Sequence, residues 1–167
     1  VPVGTAPGLV HISTSAFTTQ TTVSFDNVFT STYENYIILG TLLSSVANPV
    51  FNVRLRAGGS DNTNATYQKQ QLNSSGTTVN GARSANQTAY AFSFVADSSS
   101  VFQLNVFSPQ QTKKTGMLGQ IDEQITSGVI AITSGGFSAT TAFDGISFFP
   151  ASGNITGNIR IYGYKNS

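Results

Sequence analysis

From Leu9 onward, apolar and polar residues alternate in short segments separated by turn residues. This is the period of half-buried strands rather than of helices. Residues 50–57 are the clearest case, with Phe51, Val53, Leu55 and Ala57 on one side and Asn52, Arg54 and Arg56 on the other. Residues 9–14 alternate Val10 and Ile12 against His11 and Ser13, and residues 21–25 set Val23 and Phe25 against Thr22 and Ser24. Residues 36–43 are more continuously apolar, as expected of a central strand covered on both faces.

Further along, residues 58–64 (GGSDNTN) read as a loop and 65–72 as a polar strand. Residues 73–87 carry almost no apolar side chain and are expected to form a long exposed excursion, with a weak hairpin around Asn80-Gly81. Residues 88–95 should place Tyr90, Phe92 and Phe94 on one face, and residues 101–107 do the same for Phe102, Leu104 and Val106. Strands are also expected at 113–121 and 128–133, joined through 122–127, then at 142–149 and 157–164, with Ser134-Gly135-Gly136 breaking the chain. About ten short strands with no helix-period segment predict an all-β protein, an antiparallel β-sandwich of jelly-roll-like form. Residues 1–8, with two prolines and two glycines, read as an N-terminal arm or linker, and 9–167 as a single β-sandwich domain.

Composition adds a surface chemistry to this fold. Only 15 of the 167 residues are charged, while 65 are Ser, Thr, Asn or Gln. A typical soluble domain is about a quarter charged, so hydroxyls and amides must keep this surface wet. The net charge is +1 and the cations are scattered, which removes the dense basic stripe that nucleic acid requires. No apolar run approaches 18 residues, so no membrane-inserting helix is expected. With no cysteine, disulfides and thiolate metal sites are unavailable.

Candidate catalytic groups are few. His11 is the single histidine, it falls on the polar face of the first strand, and no Gly-x-Ser-x-Gly elbow accompanies it. The seven acids are Asp26, Glu34, Asp61, Asp97, Asp122, Glu123 and Asp144. Asp26, Asp97 and Asp144 sit at expected turns, where such side chains hydrogen-bond the backbone, and Asp122 and Glu123 would point to opposite faces of a strand. Residues 61–64 are oxygen-rich but lack the glycine and distal glutamate of a calcium loop, so neither a metal nor a cofactor is expected. Most phenylalanines lie in alternating strands and belong to the core, whereas Tyr67 and Tyr90 could stack on a sugar. The expected ligand-facing residues are Asp61, Asn62 and Asn64 in the loop, with Tyr67 beside it.

Three segments carry a resemblance: VSFDNVFTSTYENYIIL at 23–39, VRLR at 53–56 and the ending ITGNIRIYGYKN at 155–166. Together they resemble a family of tailed-phage virion proteins, fibre-like and minor tail proteins of environmental phages. The likeness extends over nearly the whole chain after Leu9, and the ending is its most specific part. No catalytic motif comes with the family. The resemblance implies a non-enzymatic structural protein of the virion surface, a tail-fibre or appendage module contacting other virion proteins and a host glycan. A capsid decoration protein that stabilises the shell is the alternative, and a glycan-depolymerising spike enzyme ranks last. Identical neutral faces can crowd together without like-charge repulsion, so a homo-oligomer is expected, a trimer being usual for such modules.

Overall fold

A computed structural model describes residues 8–123 and 129–165. The proposed arm, apart from Gly8, and most of the 122–127 connection lie outside the described residues. The described residues are all β, with thirteen strands rather than about ten. In order they are β1 (Gly8–Gln20), β2 (Val23–Phe25), β3 (Asn35–Ser44), β4 (Val50–Ala57), β5 (Ser60–Asp61), β6 (Tyr67–Ser75) and β7 (Thr78–Gln87). Then follow β8 (Tyr90–Phe94), β9 (Ser100–Phe107), β10 (Thr115–Glu123), β11 (Val129–Phe137), β12 (Gly145–Pro150) and β13 (Ile155–Lys165).

A wide antiparallel sheet has the order β1-β13-β3-β9-β10-β11-β6-β7, and a narrow one runs β2-β12-β4, with β8 and β5 sharing the far edge of β4. The chain passes from β1 to β2, β3 and β4 by switching sheets at every step, and does so again from β8 to β9, β12 and β13. Four strands, β1-β13-β3-β9, thus face β2-β12-β4-β8, which is jelly-roll topology. The rest is insertion. One excursion, β5–β7, lies between β4 and β8; another, β10–β11, lies between β9 and β12. The two insertions pair with each other through β11 and β6 and widen one sheet to eight strands.

Inward residues of both sheets form one core. Phe51, Val53 and Leu55 of β4 are fully buried, as the alternation required. Phe51 packs on Phe92, Phe102 and Phe148 with ring centroids 6.2, 5.5 and 5.8 Å away. Two central glycines admit these rings. A Cβ on Gly40 would stand 2.2 Å from Phe102, and one on Gly119 would stand 2.4 Å from Phe92. A second aromatic group, Tyr67, Phe137 and Phe143, closes the core beneath the insertions.

Several local expectations need correcting. In β8 a bulge opposite Phe51 and Asn52 breaks the alternation, so Tyr90 and Phe92 are buried while Phe94 is exposed. Strand β11 runs straight through Gly135-Gly136, because at Gly135 the backbone of Gln68 leaves no space for a side chain (2.1 Å to a Cβ). The 73–87 excursion belongs to a regular hairpin that turns at Gly76 (φ +56°), with Asn80 paired to Asn73 on the ladder. Strand β3 is covered on both faces only in its first half; Thr41 and Leu43 are exposed.

Candidate functional site

The loop expected to face a ligand is instead fastened to the outer face of the narrow sheet. Alternation in β4 points Arg54 and Arg56 away from the core. The Arg56 guanidinium donates to Asp26 at 2.8 Å, to the Asp61 carboxylate and to the Gly59 carbonyl. Asp61 also accepts from the Ser147 hydroxyl at 2.9 Å, and Arg54 approaches it at 3.8 Å. Hydrogen bonding to Asp26, ahead of the other contacts, holds the Arg56 guanidinium even more firmly protonated than usual. Asp144 accepts from the Gly58 N–H at 2.9 Å. Asp61 therefore works as a latch.

The neighbouring residues divide. The Tyr67 ring is fully buried, and its hydroxyl accepts from the Leu55 N–H at 2.9 Å and donates to the Asn62 carbonyl at 3.1 Å. No sugar can reach that ring, nor that of Tyr90, which is 1 % exposed. The Asn62 side chain closes an Asx turn on the Asn64 N–H at 3.0 Å, and only Asn64 of the four is exposed. Replacing Arg56 with methionine leaves two carboxylates without their main partner. Because Asp26 and Asp61 keep some water contact, the expected loss is about 2 kcal/mol rather than the larger cost of a fully buried pair. Urea denaturation measures it.

Elsewhere, Glu34 pairs with Lys113 at 3.4 Å, Asp97 is exposed in a turn, and Asp122 is exposed on β10; the side chain of Glu123 lies outside the described residues. Among the described residues, no group of three histidine or acidic side chains comes together as metal ligands.

The wide sheet offers a different surface. Its outer face is largely exposed, apart from Ile37, and the strand register arranges it in rungs. One rung reads His11, Tyr162, Ile37, Asn105, Leu118, Ser134, Gln70 and Arg83 from β1 to β7. The next reads Thr14, Arg160, Leu39, Gln103, Gln120, Ile132, Leu72 and Gly81. On the β1-β13-β3-β9 half, exposed Tyr164 donates its hydroxyl to Asn105 Oδ1 at 3.2 Å. Tyr162 meets the His11 ring edge-on at 5.5 Å, and Thr14 Oγ1 lies 2.7 Å from His11 Nε2. A groove of about 400 Å³ adjoins this half, lined by Leu39, Val101, Gln103, Gln120, Asp122 and Ile130.

No protein-family model and no curated protein matches this chain.

The tyrosines of β13 alternate with Ile159, Ile161 and Gly163, which point inward, so Arg160, Tyr162 and Tyr164 share the outer face. That alternation was present in the sequence. The signal lies in the ending IRIYGY, whose alternation sets its tyrosines outward, whereas Tyr67 and Tyr90 are core rings. Two tyrosines at positions i and i+2 of one strand stand about 7 Å apart. Each offers an apolar face and a polar tip. Asn105, Gln103 and Arg160 supply hydrogen-bonding groups beside them.

Proposed function

We propose that this chain is a non-enzymatic structural module of a phage virion surface, part of a tail fibre or appendage, that holds a host-surface saccharide on the outer face of its wide sheet. The observation that carries the binding half is the pair Tyr162, half-buried, and Tyr164, exposed, on one strand face among Asn105, His11 and Arg160. The virion half rests on the resemblance of the segments 23–39, 53–56 and 155–166. The hydroxyl- and amide-rich surface supports it, since neutral faces tolerate crowding beside other virion proteins and further copies of the chain. The carboxylates Asp26, Asp61 and Asp144 are held by Arg56, Ser147 and a backbone N–H, which supports a binding role over hydrolysis.

A glycan array probed with the purified protein is the test. Binding is expected, and replacing Tyr162 and Tyr164 together by alanine should weaken it at least tenfold with no change in the unfolding midpoint. A blank array alongside a blank cell-adsorption assay would refute the binding role. The second reading, a decoration protein clamping shell subunits, draws on the uncovered aliphatic half of the same face. Cryo-microscopy of the particle separates the two by locating the chain on tail or shell.

A further inference from the structure

The four strands added to the jelly roll, β10-β11-β6-β7, carry apolar residues on both faces. On the side that continues the core face, Met117, Ile121, Ala131, Phe137 and Tyr67 join the core, with buried Thr133 and Gln71 and then Lys69, Asn73 and Ser84 beyond them. On the outer side stand Leu72, Val79, Leu118, Ile130 and Ile132, between 43 % and 69 % exposed. Cross-strand pairing makes them one patch: Ile132 lies opposite Leu72, while Ile130 and Val79 flank Ser74. Register decides which face of a strand is buried, and here it leaves a second, aliphatic set facing away from the protein's own core.

The charges on this patch are placed for a particular partner. Its corners are Leu118 and Asp122 on β10, and Arg83 and Val79 on β7. Strand spacing and rise make the patch a square about 14 Å on a side. Asp122 and Arg83 occupy one diagonal, and Leu118 and Val79 the other. Both charged side chains are exposed, and neither has an ion-pair partner among the described residues.

We infer that this face docks on the same face of a second copy, about a two-fold axis along the Leu118–Val79 diagonal. That axis sets Arg83 of each copy on the partner's Asp122 and brings Leu118 and Val79 against their own symmetry mates, while Ile132 and Leu72 fill the centre and Ile130 lies on the edge beside Asp122. The strands of the two copies then cross near 90°, one of the two usual ways in which sheets pack. A square of that size presents about 200 Å² in plane per copy, small for a specific interface, so association no tighter than the micromolar range is expected. The trimer expected for such modules would need a separate contact.

Sedimentation velocity across a micromolar dilution series tests this. The wild-type chain should show a monomer–dimer equilibrium. Asp122→Arg or Arg83→Asp alone should weaken it at least tenfold, and the two together should restore it to within about threefold, because the swapped charges still meet. Leu72→Asn with Ile132→Asn should abolish the dimer and leave the unfolding midpoint unchanged, since both side chains point outward. A monomer at all concentrations, an assembly of another order that ignores these variants, or a double charge swap that fails to restore pairing would each overturn the inference.

Discussion

Replacing Phe51 with alanine is expected to lower stability by about 3–5 kcal/mol, the range for deleting a buried aromatic ring. The side chain is fully buried, and its ring meets Phe92 of β8, Phe102 of β9 and Phe148 of β12. Those neighbours come from both sheets, so no single strand can shift to fill the vacated space. For a chain of this length the thermal midpoint should fall by roughly 10 °C or more. Phe51→Leu keeps most of the volume and should cost about 1.5 kcal/mol. Urea denaturation of the two variants reads the difference. A loss below about 1 kcal/mol in Phe51→Ala would mean that the sheets do not close on this cluster.

The second large effect is alkaline unfolding. Burial raises the phenol pKa of Tyr36, Tyr67 and Tyr90, pushing that of Tyr90 up to about 12 from an ordinary value of 10.0. In the unfolded chain these groups lose their protons first, so the native state is fully favoured below pH 10 and loses that advantage as pH rises above it. Lys69 acts the other way. Burial lowers its pKa from 10.5, so its contribution to stability improves as pH rises towards that value. Three tyrosines outweigh one lysine, and Tyr90 alone accounts for about 3 kcal/mol at the alkaline end. Part of the tyrosinate absorbance at high pH is therefore expected to appear only in step with loss of the near-ultraviolet circular dichroism. Tyr90→Phe should shift this transition to higher pH. Ionisation of every tyrosine with the native signal intact would contradict the packing described.

The local pattern leads directly to β4, β9 and β13, whose alternation is regular and whose inward residues are mainly large and apolar. It failed where backbone contacts at long range override it. Gly135 and Gly136 look like a chain break, but the glycines are there because the neighbouring strands come too close for a side chain. The Phe92 bulge turns Phe94 outward, and a bulge adds one residue without any marker in the sequence. Asn80-Gly81 carries the stronger hairpin signal, yet the turn falls at Gly76, because pairing of β6 with β11 sets the register. The jelly-roll class could be read from strand number and spacing. That two separate insertions join into one sheet extension could not, since neither carries its partner's address locally.

The candidate site divides along the same line. Asp61 and Tyr67 have the chemistry of ligand contacts, but Arg56 and Ser147 occupy the first, and the core encloses the second. The outward rings of Tyr162 and Tyr164 follow from simple alternation, whereas their proximity to His11 and Asn105 depends on strand order. Exposure of the aliphatic patch depends on it still more, because β10-β11 and β6-β7 are distant in sequence.

On the two proposals above, the outer face of the wide sheet has two working halves, one for a saccharide and one for a second copy. Methyl and aromatic NMR shifts recorded through a dilution series test it most directly. Concentration-dependent shifts are predicted for Leu72, Val79, Leu118, Ile130 and Ile132, with Tyr162 and Tyr164 unmoved until saccharide is added. Shifts that spread over the narrow sheet, or that fall on Tyr162 and Tyr164 while the aliphatic methyls stay fixed, would contradict it.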